Sequence, residues 1–268
     1  RAARLLAGAG KHAGELVHSG TCEKAFVIGG GVQHARRDHE KGFGVFSDVG
    51  ICAENLMQNH RVRRVLILDT DAHAGDGIYR IFSENTGVLC ISIHQDPHTL
   101  YPGEGFIDET GTGEGEGFSA NIPLPPMSGE VAYQHALKEI FVPLAREFQP
   151  EIILMVDGSD PHFTDRITSM GLTLEGIMMI GRLVGRTAAE VCGGKVVDFT
   201  GSGYSSCPEV VSLGWLSSIA GLTGVDLDIE EPHPPPDTLD RGRGLGEAQE
   251  TVRNLKKILG RFWKTFRT

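Results

Sequence analysis

Five short runs, apolar along most of their length, constrain the fold of this chain more than any other feature. Segments with helical spacing separate these runs along the chain. Strands that alternate with helices and are apolar on both sides are typical of a parallel sheet covered on both faces. We therefore predict an α/β fold with an open, mainly parallel sheet and helices on both faces. The five runs are AFVI (25–28), RVLIL (64–68), VLCISI (88–93), IILMV (152–156) and KVVDF (195–199).

The segments between the runs divide into predicted helices, one long loop and one strap. A stretch rich in glycine and acidic residues, 101–118, is predicted to be a loop, and a Pro-rich stretch, 230–245, a linker or surface strap. No internal repeat is visible, so we expect one domain over 1–268. The predicted helices are 1–18, 47–59, 77–84, 129–147, 173–190 and 246–266.

Composition excludes several classes of protein. Hydrophobic residues make up 40% of the 268, which argues against disorder, and the net charge of −10 argues against direct nucleic-acid binding. The five cysteines are scattered, which predicts a reducing compartment, either the cytoplasm or the nucleus. No apolar run approaches the roughly 18 residues of a membrane span, so no membrane partner is expected. Nothing in the sequence indicates the oligomeric state.

Polar clusters follow four of the predicted strands. They are Gln33-His34, 69–76, 159–165 and 202–204. In open parallel sheets, ligands bind beyond the carboxyl ends of the strands. We therefore expect these clusters to meet at one edge of the sheet and to form the functional site.

The stretch DTDAHAGDG (69–77) is the sharpest chemical signal. Alternate residues leaving a strand share a side, so Asp71 and His73 can face one point and bind a divalent metal. We predict Asp165, after the fourth strand, as the third ligand. Three protein ligands leave a position open for water, as in catalytic metal sites. The alternative is that Asp69 and Asp71 only cap the following helix.

Two further side chains are candidates for proton transfer and oxyanion binding. His34 follows a glycine loop and could act as a general base with Asp76 orienting its ring, or could be a histidine hydrogen-bonded in the core. Tyr204 ends the turn GSGY (201–204) and could donate to a developing oxyanion, or could simply be packed there.

Taken in order, these motifs resemble those of the zinc-dependent histone deacetylase family, which includes bacterial and archaeal deacetylases and acetylpolyamine amidohydrolases. The similarity is specific over roughly 20–205, and it implies the arginase/deacetylase-like fold. The matching segments are GGVQHA (30–35) with Gly42-Phe43, DTDAHAGDG (69–77), Ser92-Ile93-His94 with Tyr101-Pro102-Gly103, GEGEGFSANIPL (113–124), 158–173 and GSGY (201–204).

The resemblance implies metal-dependent hydrolysis of an acetyl-amine amide, with acetate and a free amine as products. The metal would be Zn²⁺ or Fe²⁺, and the substrate an acetylated protein lysine or a small acetylated amine. A structural K⁺ ion is also implied. The implied roles are metal binding by Asp71, His73 and Asp165; catalysis by His34, Tyr204, Asp76 and Gln33; substrate-tunnel walls from Phe43 and Tyr101; and monovalent-cation binding by Asp69, Asp71, His73, Ser92 and Ile93.

Three departures from the family pattern keep alternatives open. Gln33 stands where the family usually has its first histidine, and Ser202 interrupts a run that is often all glycine. Only about thirty residues precede the motif at 30–35, so we expect the family's N-terminal stretch to be lacking here. The alternatives are an acetylpolyamine or small-molecule amidohydrolase and a metal-binding pseudoenzyme that binds acetyl-lysine. A two-metal ureohydrolase would need a further carboxylate where Gly75 stands.

Overall fold

The computed structural model describes residues 1–267 and is built around one six-stranded sheet. All neighbouring strands pair in parallel, in the order β1-β6-β5-β2-β3-β4. This confirms the predicted α/β class. The strands are β1 Lys24–Ile28, β2 Val65–Asp69, β3 Val88–Gln95, β4 Ser119–Leu124, β5 Ile152–Gly158 and β6 Val196–Ser202.

Strand β4 is the one strand that the apolar runs did not predict. It lies at an edge of the sheet, where it pairs only with β3. The strand contains Asn121 and Pro123, which the interior of a sheet disfavours, and an edge strand tolerates proline because one side of its backbone needs no ladder hydrogen bonds.

One helix, Pro208–Thr223, lies outside the six predicted segments. The other helices agree with those segments to within a few residues, except at the C-terminus. There the predicted helix 246–266 ends at Leu259, and a short 3₁₀ turn, Lys264–Phe266, follows. A π-helical turn, Leu137–Phe141, joins α4 to α5. The helices are α1 Ala2–His18, α2 Asp48–His60, α3 Asp76–Ile81, α4 Glu130–Ala136, α5 Val142–Phe148, α6 Leu174–Cys192, α7 Pro208–Thr223 and α8 Leu245–Leu259.

Side chains of the sheet alternate between two hydrophobic cores. On one face, residues such as Leu66 and Leu68 of β2 pack with helices α4, α5, α6 and α8. On the other face, Val65 and Ile67 pack with α1, α2 and α3. This alternation follows from the period of two along a strand, and it explains why the strands are apolar on both sides.

The two cores leave the carboxyl edge of the sheet to loops. The segments after β1, β2, β5 and β6 all begin at this edge, because the strands are parallel. Among residues 1–267, no helix has the length and apolar character needed to cross a membrane.

Candidate active site

Three acidic and imidazole side chains converge where the loops after β2 and β5 meet. Asp71, His73 and Asp160 each offer one ligand atom, and these atoms lie within 4.8 Å of one another. His73 Nδ1 is 2.9 Å from Asp71 Oδ1 and 2.9 Å from Asp160 Oδ2. All three side chains are buried. Carboxylates and an imidazole in this arrangement are a suitable donor set for a divalent metal ion.

The charges in this cluster are strongly coupled. Burial by itself would lower the pKa of His73, but the Asp160 and Asp71 carboxylates raise that pKa to about 11. Burial and the neighbouring charge of Asp71 raise the pKa of Asp160 to about 8. Burial opposes ionisation of Asp71 too, but the hydrogen bond with His73 lowers its pKa below the usual value. The cluster therefore favours a positive charge at its centre.

Asp160 is a member of this cluster that the sequence analysis did not single out. Its Oδ1 accepts from the backbone N–H of Ala72 at 3.2 Å and from the Ser202 hydroxyl at 2.9 Å, while Oδ2 faces His73. A sequence signal could have identified it. Asp71 stands two residues beyond the end of β2, and Asp160 stands two residues beyond the end of the neighbouring β5.

Asp165, the predicted third ligand, lies five residues farther along the same loop. It is half-buried, and its carboxylate accepts hydrogen bonds from three backbone N–H groups. Oδ2 accepts from Tyr204 at 2.7 Å, and Oδ1 accepts from Ile167 at 2.9 Å and from Thr168 at 3.2 Å. The loop after β5 thus brings two carboxylates toward the site, one against His73 and one against the Tyr204 turn.

His34 and Asp76 lie together as predicted. His34 Nδ1 is 2.6 Å from Asp76 Oδ1, and the His34 and His73 ring centroids are 6.0 Å apart. Asp76 Oδ2 also accepts from Arg36 at 2.5 Å and from Lys41 at 2.7 Å. Burial by itself would raise the pKa of Asp76, but the hydrogen bonds from His34 and Lys41 hold it below the usual value. Arg36 and Lys41 were not predicted from the sequence.

The side chain of Asp48, which the sequence analysis did not identify, stabilises the glycine loop that carries Gln33 and His34. Asp48, the first residue of α2, accepts from the backbone N–H of Gly31 at 3.1 Å and of Val32 at 2.8 Å. Gly31 has φ +83° and lies against the backbone of β6, so a side chain at this position would be strained and obstructed. Gln33 is consequently buried, with its side chain at the cavity.

A cavity of about 660 Å³ opens above the cluster. Its lining includes Asp71 and His73 together with residues from four loops. The Tyr101 ring centroid is 5.1 Å from that of His34, and the Phe43 centroid is 6.4 Å from that of Tyr204. The structure thus brings the predicted proton-transfer and tunnel residues to one cavity. The further lining residues include Gln33, His34, Phe43, Leu100, Tyr101, Ile167 and Tyr204.

Two of the five predicted monovalent-cation residues, Asp69 and Ser92, line a separate small pocket beside β2, whereas Asp71 and His73 line the main cavity. This pocket is lined by Asp69, Ser92 and Asn121. Asp69 Oδ1 accepts from the backbone N–H of Asp71 at 3.0 Å, whereas its buried Oδ2 has no hydrogen-bond partner among residues 1–267. A buried carboxylate oxygen of this kind suits a bound cation.

Residues 1–222 match the family model described as the histone deacetylase domain. The chain belongs to the histone deacetylase family. A relative named "Probable deacetylase" from Archaeoglobus fulgidus is 37% identical over 270 residues, covering 99% of this chain and 74% of the relative. The acetoin utilization protein AcuC of Bacillus subtilis is 34% identical over 231 residues, covering 86% of this chain and 59% of AcuC.

Solved histone deacetylase structures share the fold. The HDA15 HD domain superposes with a TM-score of 0.84 at 27% identity, covering 99% of this chain and 71% of that domain. The arginase/deacetylase-like fold expected from the sequence is thereby confirmed. The reaction that membership of the histone deacetylase family supports is hydrolytic deacetylation.

Proposed function

We propose that this histone deacetylase domain is a metal-dependent amidohydrolase that removes the acetyl group from an acetylated lysine side chain. One observation carries the proposal. Asp71 and His73 of the buried cluster line a cavity that His34 and Tyr204 also line. A metal-binding group, a proton-transfer group and a hydrogen-bond donor therefore face the same space, as amide hydrolysis requires.

The donor set fits Zn²⁺ or Fe²⁺. Asp71 and His73 would hold the ion together with a carboxylate from the loop after β5, with positions left for water and substrate. A bound ion would polarise the acetyl carbonyl and lower the pKa of a coordinated water. The buried oxygen of Asp69 that is unpaired within residues 1–267 supports a second, monovalent cation such as K⁺ in the pocket between β2 and β3.

We propose Asp165, which the family motifs imply, as the third metal ligand. Asp160 would instead contact His73. Asp165→Asn should remove most of the metal, because two remaining ligands bind a divalent ion weakly. Asp160→Asn should weaken metal binding too, since its Oδ2 lies 2.9 Å from His73 Nδ1. Metal content per chain measures both. Full occupancy in Asp165→Asn and loss in Asp160→Asn would make Asp160 the third ligand instead.

His34 would transfer the protons in this reaction, and Tyr204 would donate a hydrogen bond. His34 is oriented through Nδ1 by Asp76, which leaves Nε2 to take a proton from the attacking water and return one to the departing nitrogen. Tyr204 would donate its hydroxyl proton in a hydrogen bond to the carbonyl oxygen. Burial and the charge of Asp71 raise the pKa of Tyr204, so its hydroxyl stays protonated at neutral pH. A C–O bond forms at the acetyl carbon, and the C–N bond breaks.

The cavity walls suit the alkyl part of an acetyl-lysine side chain. Phe43, which is 93% exposed, and Tyr101, which is 47% exposed, can stack against a methylene chain. The relatives named deacetylase and AcuC do not favour the acetylpolyamine alternative. The chain spans 74% of the first relative and 59% of the second, so substrate choice by the whole protein is part of this proposal. The five free cysteines support a reducing compartment.

Acetate release from an acetyl-lysine peptide and from an acetylated polyamine tests the proposal. With Zn²⁺ or Fe²⁺ supplied, we expect faster turnover of the peptide. Tyr204→Phe should lower kcat by about 10²–10³-fold with the metal retained, because the oxyanion loses a hydrogen-bond donor. Tyr133→Phe is the matched control, since its buried hydroxyl lies outside the cavity lining. Metal-loaded protein that releases no acetate from either substrate would contradict the proposed hydrolase function.

A further inference from the structure

Four charged side chains form a compact group behind the cavity, and only Asp76 among them has been given a role in the site. The group, here called the charged bridge, consists of Arg36, Lys41, Asp76 and Glu104. Arg36 and Lys41 each contact both carboxylates. Lys41 Nζ is 2.7 Å from Asp76 Oδ2 and 2.9 Å from Glu104 Oε1. Arg36 Nη2 is 2.5 Å from Asp76 Oδ2 and 3.0 Å from Glu104 Oε1.

The charged bridge is largely withdrawn from solvent. The side chain of Asp76 is fully buried, and those of Arg36, Lys41 and Glu104 are 15%, 22% and 26% exposed. Hydrogen bonds to ionised partners are about twice as strong as those between neutral groups, and salt screens partly buried pairs less than exposed ones. Arg80, 51% exposed, also donates to Glu104 Oε2 at 3.0 Å, so each carboxylate faces more than one cation. These contacts can therefore hold backbone segments in place.

Three members of the charged bridge each lie next to a different part of the cavity. Asp76 contacts His34, the proposed proton-transfer group. Lys41 begins the short turn that carries Phe43, and its backbone pairs with that of Gly44 through two hydrogen bonds of 3.0 Å. Glu104 directly follows the turn Tyr101-Pro102-Gly103. The bridge thus connects the proton-transfer group to both walls of the cavity.

The two wall residues are only partly packed: Tyr101 lies edge-on to His34 at 5.1 Å between ring centroids, and Phe43 lies 6.4 Å from the Tyr204 ring. Phe43 has φ +65°, a backbone conformation that few side chains adopt, and its ring is almost fully exposed. Tyr101 is about half-exposed, and the Lys41 ammonium lies 5.8 Å from the centre of its ring. Both rings are exposed over about half of their surface or more, so their positions depend in part on the backbone segments that the charged bridge joins.

We propose that Lys41 and Glu104 are positioning residues that, with Arg36, hold the cavity walls Phe43 and Tyr101 in a fixed relation to His34. The inference rests on the proposed function, because the walls and His34 take their roles from it. Neither Lys41 nor Glu104 lines the cavity, so neither is expected to touch the substrate. They act through the segments to which they belong.

Glu104→Gln and Lys41→Met separate positioning of the walls from proton transfer. Glu104 does not contact Asp76, so Glu104→Gln should raise KM for the acetyl-lysine peptide by roughly 3- to 10-fold and change kcat less than about twofold. Lys41→Met keeps the length of the side chain but also removes a donor to Asp76. It should therefore raise KM and lower kcat together.

Combining the two substitutions tests whether the residues act as one unit. The double variant should raise KM by less than the product of the two single effects, because each single change already breaks the same contact. Glu114→Gln and Lys257→Met make the same changes of charge at exposed positions and should leave KM unaltered. Unchanged KM in both single variants, or effects that multiply fully, would overturn the inference.

A spectroscopic measurement tests the inference without turnover, so failure of the proposed function would not hide the answer. The chain has four tyrosines, and 3-fluorotyrosine labelling gives four ¹⁹F signals, of which Tyr101→Phe identifies one. Glu104→Gln should broaden the Tyr101 signal as the ring samples several positions, and leave that of the core residue Tyr133 unchanged. A Tyr101 signal with the wild-type linewidth would refute the inference. Should Glu104→Gln fail to fold, Glu104→Asp keeps the charge and withdraws it by one methylene.

Discussion

Gln33 is the residue at which this active site departs most from its family. The side chain is buried and lines the cavity beside His34. An amide can donate and accept hydrogen bonds but cannot titrate, whereas a histidine would bring a group that exchanges protons near neutral pH. In the proposed mechanism, His34 alone would therefore transfer protons. The buried Asp69, whose Oδ2 is unpaired within the described chain, has no imidazole to orient.

Replacing Gln33 tests how far this difference governs turnover. Gln33→His should raise kcat and add a second ionisation to the pH–rate profile, because a second imidazole then faces the substrate. His34→Ala should nearly abolish turnover while the metal stays bound. Steady-state kinetics between pH 5 and 9 measures both effects. A Gln33→His profile that superposes on the wild-type profile would contradict this account of the site.

Among the secondary-structure elements, β5 and β6 bring two aspartates together inside the core. Asp157 is paired with Thr200 and Asp198 with Met155, so both carboxyl groups project from the same face. Ser218 of α7 donates to Asp157, while neither oxygen of Asp198 has a hydrogen-bond partner within residues 1–267. Burial, and then the charge of Asp157, raise the pKa of Asp198 well above its usual value. The pair therefore keeps a proton in the folded state.

This pair predicts a stability that declines as the pH rises. In the unfolded chain the aspartate loses its proton above a pH of about 4, whereas the folded protein retains it. The free energy of unfolding is therefore highest below that pH, and it decreases as the pH rises toward the raised pKa of the folded protein. Asp198→Asn supplies a permanent N–H donor to Asp157 and should raise the free energy of unfolding at pH 8 by on the order of 1–3 kcal/mol. The gain should shrink toward pH 5. Urea unfolding at pH 5 and pH 8 measures the gain in free energy of unfolding, and the exposed Asp108→Asn is the control. A gain that does not change with pH would argue against a proton shared by Asp157 and Asp198.

Across the domain, the proposed metal centre would join two loops that leave neighbouring strands. Asp71 and His73 follow β2, and the carboxylates of Asp160 and Asp165 follow β5. Metal binding should raise Tm, because an ion that binds only the folded protein stabilises it. The ion must displace the proton of His73, whose pKa is raised to about 11. Affinity should therefore increase with pH, by about tenfold per pH unit for each proton displaced.

The stability of the metal-free protein should decrease as the pH rises, whereas the metal affinity increases. Protonated His73 contributes fully below its unfolded pKa of about 6.5, and this contribution is lost as the pH rises toward about 11. The difference in Tm between metal-loaded and chelator-treated protein should consequently be larger at pH 8 than at pH 6. Thermal unfolding at the two pH values measures it. An equal difference at both would show that the cluster binds no proton that the metal displaces.

Sequence patterns alone were sufficient to predict the sheet, its strand ends and the family. Continuous apolar runs are needed wherever both faces of a parallel strand are buried, so β1, β2, β3, β5 and β6 were visible as patterns. The polar segments after them had to meet at one edge, because the carboxyl ends of parallel strands lie together. The structure accordingly brings the predicted residues Asp71, His73, His34 and Tyr204 to one cavity, with Asp76 behind His34.

Packing of the complete chain was needed to reveal the contacts between distant segments. Asp160 and Asp165 follow the same strand and have the same chemistry, and the path of the loop alone brings Asp160 against His73. Lys41 and Glu104 are 63 positions apart, and no local pattern shows that their side chains form an ion pair. The edge position of β4 was likewise invisible, since it depends on which strands become neighbours. Local periodicity specifies how a segment folds, whereas the partners of a charged side chain are specified only when the segments pack.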